Sequence, residues 1–143
     1  MRSGADAVVD LAGDDVELMS QRIMAACAGP LHLVIDPLQG LPAEAAVSCL
    51  SPSGRLVNIG DAAGSVARFS PATLRSRTLD YLGYTHSALT HEQKASALRQ
   101  ILRHADAGEY TVEQETFPLA YVSEAWQRQP AHTTDGQQLI LVP

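Results

Sequence analysis

Cysteine is scarce in this sequence: 143 residues carry only Cys27 and Cys49. Both sit in apolar stretches that read as helices. They are therefore expected to be small buried hydrophobes, not a disulfide or a metal pair. Basic clusters are missing as well. Ten Lys and Arg stand against sixteen Asp and Glu, for a formal net charge of −6. Nucleic acid and anionic membrane both select for clustered Lys and Arg, so neither is expected as a partner. No apolar run approaches the ~20 residues that a membrane-spanning helix needs. The opening MRSGADAVVD lacks the apolar core of a signal peptide. A cytoplasmic location is the resulting expectation.

Motifs for two chemistries are also lacking. The histidines His32, His86, His91, His104 and His132 have neither H-x-x-x-H nor H-E-x-x-H spacing. With no cysteine close enough to complete a set, no metal site is expected. The serines have no G-x-S-x-G elbow, so a hydrolase has no support.

An ordinary globular chain is what remains, with a hydrophobic share of 45% and length enough for one core. ADAVVDL, residues 5–11, reads as a short buried strand. GDDVELMSQRIMAACAGP follows with Val16, Met19, Ile23 and Cys27 near helical spacing. Asp14 with Glu17 resembles a capping box, and Gly29-Pro30 ends the helix. LHLVID, residues 31–36, is a second strand, which completes a βαβ unit. Pro42 opens a short helix, Ser51-Pro52-Ser53-Gly54 is a turn, and RLVNI, residues 55–59, is a third strand. Ser70-Pro71 starts one helical turn, and DYLGYT, residues 80–85, is a fourth strand. Thr90 and Gln93 cap a long helix with the apolar stripe Leu98, Ile101, Leu102 and Ala105, ended by Gly108. The alternation predicts an α/β fold with a mostly parallel sheet flanked by helices. After Gly108 the texture changes. YTVEQETFPL alternates as an exposed strand, AYVSEAWQRQ is a short helix, and QQLILVP is a closing strand. Trp126 on that helix reads as a core or interface anchor.

GADAVVD, HLVIDPLQG, SPSGRLVNIG and the closing FPLAYVSEAWQ…GQQLILVP come in an order that resembles the carboxyl-terminal half of the medium-chain dehydrogenase/reductases. The quinone oxidoreductase branch is the nearest, and enoyl reductase modules are also similar. The resemblance implies a partial Rossmann-like cofactor-binding domain over 1–108. A segment at 109–143 returns, in that family, to the catalytic domain. The ten glycines contain no G-x-G pair, so the first βαβ unit with its glycine fingerprint is lacking.

By resemblance the cofactor is NADP, or NAD, and it crosses the carboxyl ends of the strands. Pro37 and Leu38 would lie beside the adenosine ribose and the chain leading to nicotinamide. Gly60, Asp61 and Ala62 would offer backbone groups near the nicotinamide, and Tyr84, Thr85 and His86 would approach its carboxamide edge. The missing phosphate cradle argues against binding by these residues alone. Asp36 either grips a ribose hydroxyl or accepts backbone N–H groups in its turn. Gln137 or Gln138 stands where some family members carry a lysine. No residue is expected to act as an essential acid or base, and no catalytic zinc is expected.

The implied function is NAD(P)-dependent hydride transfer to a small molecule, of the quinone or enone reductase or alcohol dehydrogenase type, in an intact parent, with this chain inactive alone. A non-catalytic dimerising or interaction module is the alternative. In the strand order 3-2-1-4-5-6 two strands, both lacking here, separate the strand at 5–11 from that at 31–36. It would have to slide across to pair with 31–36, or another chain would have to supply the edge. The family's strand equivalent to DYLGYT commonly meets its symmetry mate, which implies a homo-oligomer.

Overall fold

The computed structural model describes residues 4–110, 112–128 and 138–143. The fold is α/β with parallel strands flanked by helices, and it divides into two compact units, Met1–His91 and Glu92–Pro143.

The first unit is built around α1 (Val16–Ala26), β1 (Leu31–Asp36), α2 (Gly40–Cys49), β2 (Leu50–Asn58), α3 (Pro71–Arg77) and β3 (Asp80–Gly83). The sheet order is β1-β2-β3, and both ladders are parallel. Each helix starts on a chemical signal. At α1 the cap is Asp15, not Asp14: its carboxylate accepts from the Leu18 N–H at 3.0 Å. At α3 the Ser70 hydroxyl accepts from the Thr73 N–H, with Pro71 in the first turn. This helix has seven residues, about two turns instead of one.

Small residues let α1 and α2 meet closely. Ala43 and Ala45 are buried, and the Ser20 hydroxyl donates to the carbonyls of Val16 and Ala45. The Cys49 thiol lies 3.4 Å from the Ser20 carbonyl. The core beneath the sheet consists of Ala43, Ala46, Val47, Leu50 and Leu56, with Val34 and Leu74 packed on it. Both cysteines are free. Cys49 is buried as expected, but Cys27 is only half-buried.

Residues 5–11 form no strand, contrary to the reading of the sequence. Val8 is 78% exposed, and the segment is held to α1 through Arg22, which donates to the carbonyls of Asp10 and Ala12. It has not slid across to pair with β1. Apolar composition alone does not make a strand; among the described residues the outer edge of β1 carries no partner strand.

The chain passes from α2 into β2 without a linking residue, Cys49 to Leu50. Arg77 of α3 straddles this junction and donates to the carbonyls of Ser48 at 2.7 Å and Leu50 at 2.9 Å. The turn expected at 51–54 is therefore an irregularity inside β2. Leu31 pairs with Leu50 and Leu33 with Arg55, so a two-residue step of β1 faces a five-residue step of β2. Ser53 takes up the excess at φ 60.

The second unit contains most of α4 (His91–Asp106), β4 (Gln114–Pro118), α5 (Val122–Arg128) and β5 (Gln138–Val142). β4 and β5 pair in parallel. The α4 stripe is exposed at Leu98, Ile101 and Leu102. Trp126 is 77% exposed, so it is no core residue; it lines a groove with Val122, Ala125, Leu139 and Leu141. Arg128 forms a double hydrogen bond with Glu115 and stacks over Phe117. Gln137 and His132 lie outside the described residues.

Candidate functional site

Parallel pairing brings three carboxyl ends into one row. Asp36 of β1 is level with Asn58 of β2, which is level with Gly83 of β3. The predicted site residues all follow this row, so the fold gathers them at one edge of the sheet: Pro37 and Leu38 after β1, Gly60, Asp61 and Ala62 after β2, and Tyr84, Thr85 and His86 after β3.

The loops after β1 and β2 are stitched together. The Ile59 N–H donates to the Asp36 carbonyl at 2.8 Å, Ala62 N–H to Pro37 at 3.2 Å, and Ala63 N–H to Leu38 at 2.7 Å. Such close backbone approach requires the absence of a side chain. A Cβ on Gly60 would stand 2.8 Å from the Pro37 carbonyl oxygen, and one on Gly40, at φ +63, would meet that of Ala63 at 2.9 Å. The Ala62 N–H expected to face a ligand is instead spent on Pro37. The third loop joins through its backbone: Tyr84 N–H donates to the Asn58 carbonyl at 2.9 Å. Thr85 caps a short 3-10 turn, His86–Ala88, by accepting from Ser87 N–H.

Asp36 is 4% exposed, and its carboxylate is committed to the turn. Oδ1 accepts from the N–H groups of Leu38 at 3.0 Å and Gln39 at 2.9 Å, and Oδ2 accepts from Asn58 at 3.0 Å. Of its two readings, the structure supports the turn acceptor. Gln39 is held at φ 55, ψ −162, a region other residues leave to glycine at a cost of ~1–3 kcal/mol. Its Oε1 accepts from Asn58 at 3.2 Å and from the Tyr81 hydroxyl at 2.9 Å. Asn58, Gln39 and Tyr81 escaped the sequence reading because their partners lie 19 to 42 residues away. A groove of about 330 Å³ runs along β1, lined among others by Val9, Leu11, Leu33, Ile35, Pro37 and Leu38, and so reaches the first site loop.

A carboxyl-end crest of this kind is where open α/β sheets bind ligands. Residues 3–140 match the family model described as zinc-binding dehydrogenase. The chain belongs to the zinc-binding dehydrogenase family. No curated protein matches it. Among solved structures, this zinc-binding dehydrogenase chain is similar to a protein assigned as an alcohol dehydrogenase from Sinorhizobium meliloti 1021. Identity is 22%, the TM-score is 0.78, and the match covers 98% of this chain and 37% of that one. A mycobacterial protein, Rv1454c, in complex with NADPH is 23% identical at a TM-score of 0.77, covering 98% and 43%. The mitochondrial 2-enoyl thioester reductase heterodimer of Candida tropicalis is 17% identical at 0.63, covering 87% and 36%. The fold is thus the Rossmann-like part of the medium-chain dehydrogenase/reductases, and the chain spans about two fifths of the length of these structures.

Among the described residues no three His, Cys, Asp or Glu side chains stand together as a ligand set. What the crest presents are small residues, Gly60 and Ala62, that a flat group can approach closely, while the N–H groups of Ile59, Ala62, Ala63 and Tyr84 are bonded within the crest itself.

Proposed function

We propose that these residues form the nicotinamide-side wall of an NAD(P)(H)-dependent oxidoreductase of the quinone or enone reductase type. The observation that carries this is the level row of Asp36, Asn58 and Gly83, with the stitched loops that continue it. Family membership supports the reaction class, and the NADPH held by the mycobacterial relative favours the phosphorylated cofactor. The bound cofactor would supply the hydride. Pro37 and Leu38, Gly60 to Ala62, and Tyr84 to His86 would hold and shield its ring. In this reading residues 1–108 serve the cofactor and 109–143 return toward a substrate domain, as in the family. Hydride transfer to a small-molecule acceptor belongs to the intact parent, with no acid or base from these residues, and takes place in the cytoplasm.

With no G-x-G turn to cradle a pyrophosphate, binding by these residues alone is expected to be weak, with Kd of ~1 mM. An NMR titration of the ¹⁵N-labelled chain with NADPH is expected to shift the amides of Leu38, Gly60 to Ala62 and Tyr84 to His86, and few others. Unmoved crest signals at ~10 mM ligand would sink the reading. A stoichiometric micromolar isotherm in calorimetry would instead overturn the claim that the main phosphate contacts lie elsewhere.

Self-association is the second part of the proposal. β3 is an outer strand of its sheet and exposes Tyr81 and Leu82, which supports a homo-oligomer joined at this edge. Light scattering at micromolar concentration is expected to return at least twice the mass of one chain.

A further inference from the structure

We propose that Asn58 is a positioning residue: its carboxamide fixes the spacing of the two site loops and thereby their grip on a nicotinamide ring. The inference rests on the cofactor reading above and deepens it. Asn58 stands at the centre of the row of strand ends. Its Nδ2 reaches the loop after β2 through the Gly60 carbonyl at 2.7 Å. It reaches the turn after β1 through Asp36 Oδ2 at 3.0 Å and Gln39 Oε1 at 3.2 Å. A carboxamide nitrogen carries two hydrogens: one serves the Gly60 carbonyl, and the other is shared between Asp36 Oδ2, the nearer acceptor, and Gln39 Oε1, so one donor group spans both loops. An apolar residue, the usual filling of a parallel strand, would leave the Asp36 carboxylate short of a partner.

Gln39 extends the same network. Its backbone takes a conformation natural to glycine, yet the position keeps a side chain, and the Oε1 of that side chain accepts from both Asn58 and Tyr81. The result is a line from the Gly60 carbonyl through Asn58 and Gln39 to Tyr81 that crosses β2, the turn after β1, and β3. The backbone stitches hold the loops together. The Asn58 line sets how far apart they stand where a ring would enter.

The test is an NMR titration of the ¹⁵N-labelled full chain with reduced nicotinamide mononucleotide, which lacks the adenosine half, alongside urea unfolding. Asn58→Ala is expected to shift the amides of Gly60, Asp61 and Ala62 and to weaken the mononucleotide at least five-fold. Gln39→Gly separates positioning from stability. It relieves the backbone while removing the shared acceptor, so the urea midpoint is expected to hold or rise while affinity falls several-fold. A purely structural role would move both together. Unchanged affinity in Asn58→Ala, or an affinity loss in Gln39→Gly that appears only with lost stability, would overturn the proposal. A wild-type chain whose crest ignores the mononucleotide would refute the cofactor reading instead. The positioning role would fall with it, whereas a wild-type chain that binds the mononucleotide no better than Asn58→Ala refutes the positioning role alone.

Discussion

A methyl group at position 60 would stand 2.8 Å from the Pro37 carbonyl oxygen, closer than carbon and oxygen tolerate. Gly60→Ala is therefore expected to push the two site loops apart and to cost about 1–3 kcal/mol in urea unfolding. Gly29→Ala is the control: a Cβ there meets nothing within 4 Å, and the change is expected to be neutral or stabilising by up to about 1 kcal/mol. The cysteines differ in a comparable way. Burial pushes the Cys49 thiol above its ordinary pKa, while Cys27 is half-buried. A raised pKa leaves less thiolate at pH 8, so a thiol-reactive dye should label Cys27 quickly and Cys49 slowly. Equal rates would show that α1 and α2 open freely. At this scale the sequence was half legible. That Gly60 serves a close approach was readable from a glycine after an apolar run, but its partner, the Pro37 carbonyl, was not. The choice between two roles for Asp36 was not readable, because it turned on the backbone conformation of the turn at Leu38 and Gln39, with Gln39 at φ 55.

Helices and strands were more legible than their ends. Local signals placed α1 and α3: an acid or serine before an apolar repeat, and a proline in the first turn. Asp14 and Asp15 are both chemically fit to cap α1, and only the backbone geometry decides for Asp15. Asp15→Ala is expected to cost about 1 kcal/mol, and Asp14→Ala much less, in thermal or urea unfolding. The strand expected at 5–11 shows the limit of such reading. Val8 and Val9 satisfy every local criterion, but strand formation needs a neighbour, and the neighbour is a property of the sheet. In β2 the sequence S-P-S-G marks a real change of direction. That it lies within a strand follows only from the register with β1. Leu56, fully buried under that strand, is the residue on which the element depends, and Leu56→Ala is expected to cost about 2–5 kcal/mol.

For the whole molecule, the two units differ in how much apolar surface they bury. The first holds Met19, Val47, Leu50 and Leu56 with several buried alanines. The second, among the described residues, holds Phe117 and Ala125. Hydrogen exchange is therefore expected to be slowest in β2 and markedly faster in β4 and β5. Uniform exchange would mean that the units unfold as one. The parallel order of the main sheet was legible from the alternation of elements, but the exposed stripe of α4 was not, because periodicity identifies an apolar face without saying what lies against it. The direct passage from Cys49 to Leu50 has a different kind of consequence. Helix and strand share one uninterrupted count of residues there, and Arg77 grips a carbonyl on each side. One inserted codon would turn Leu50 away from its place opposite Leu31 and from Arg77, ahead of the irregular step at 51–54. Length variation among descendants of this gene should therefore be purged at 49–50 and accumulate in the irregular stretch 65–69.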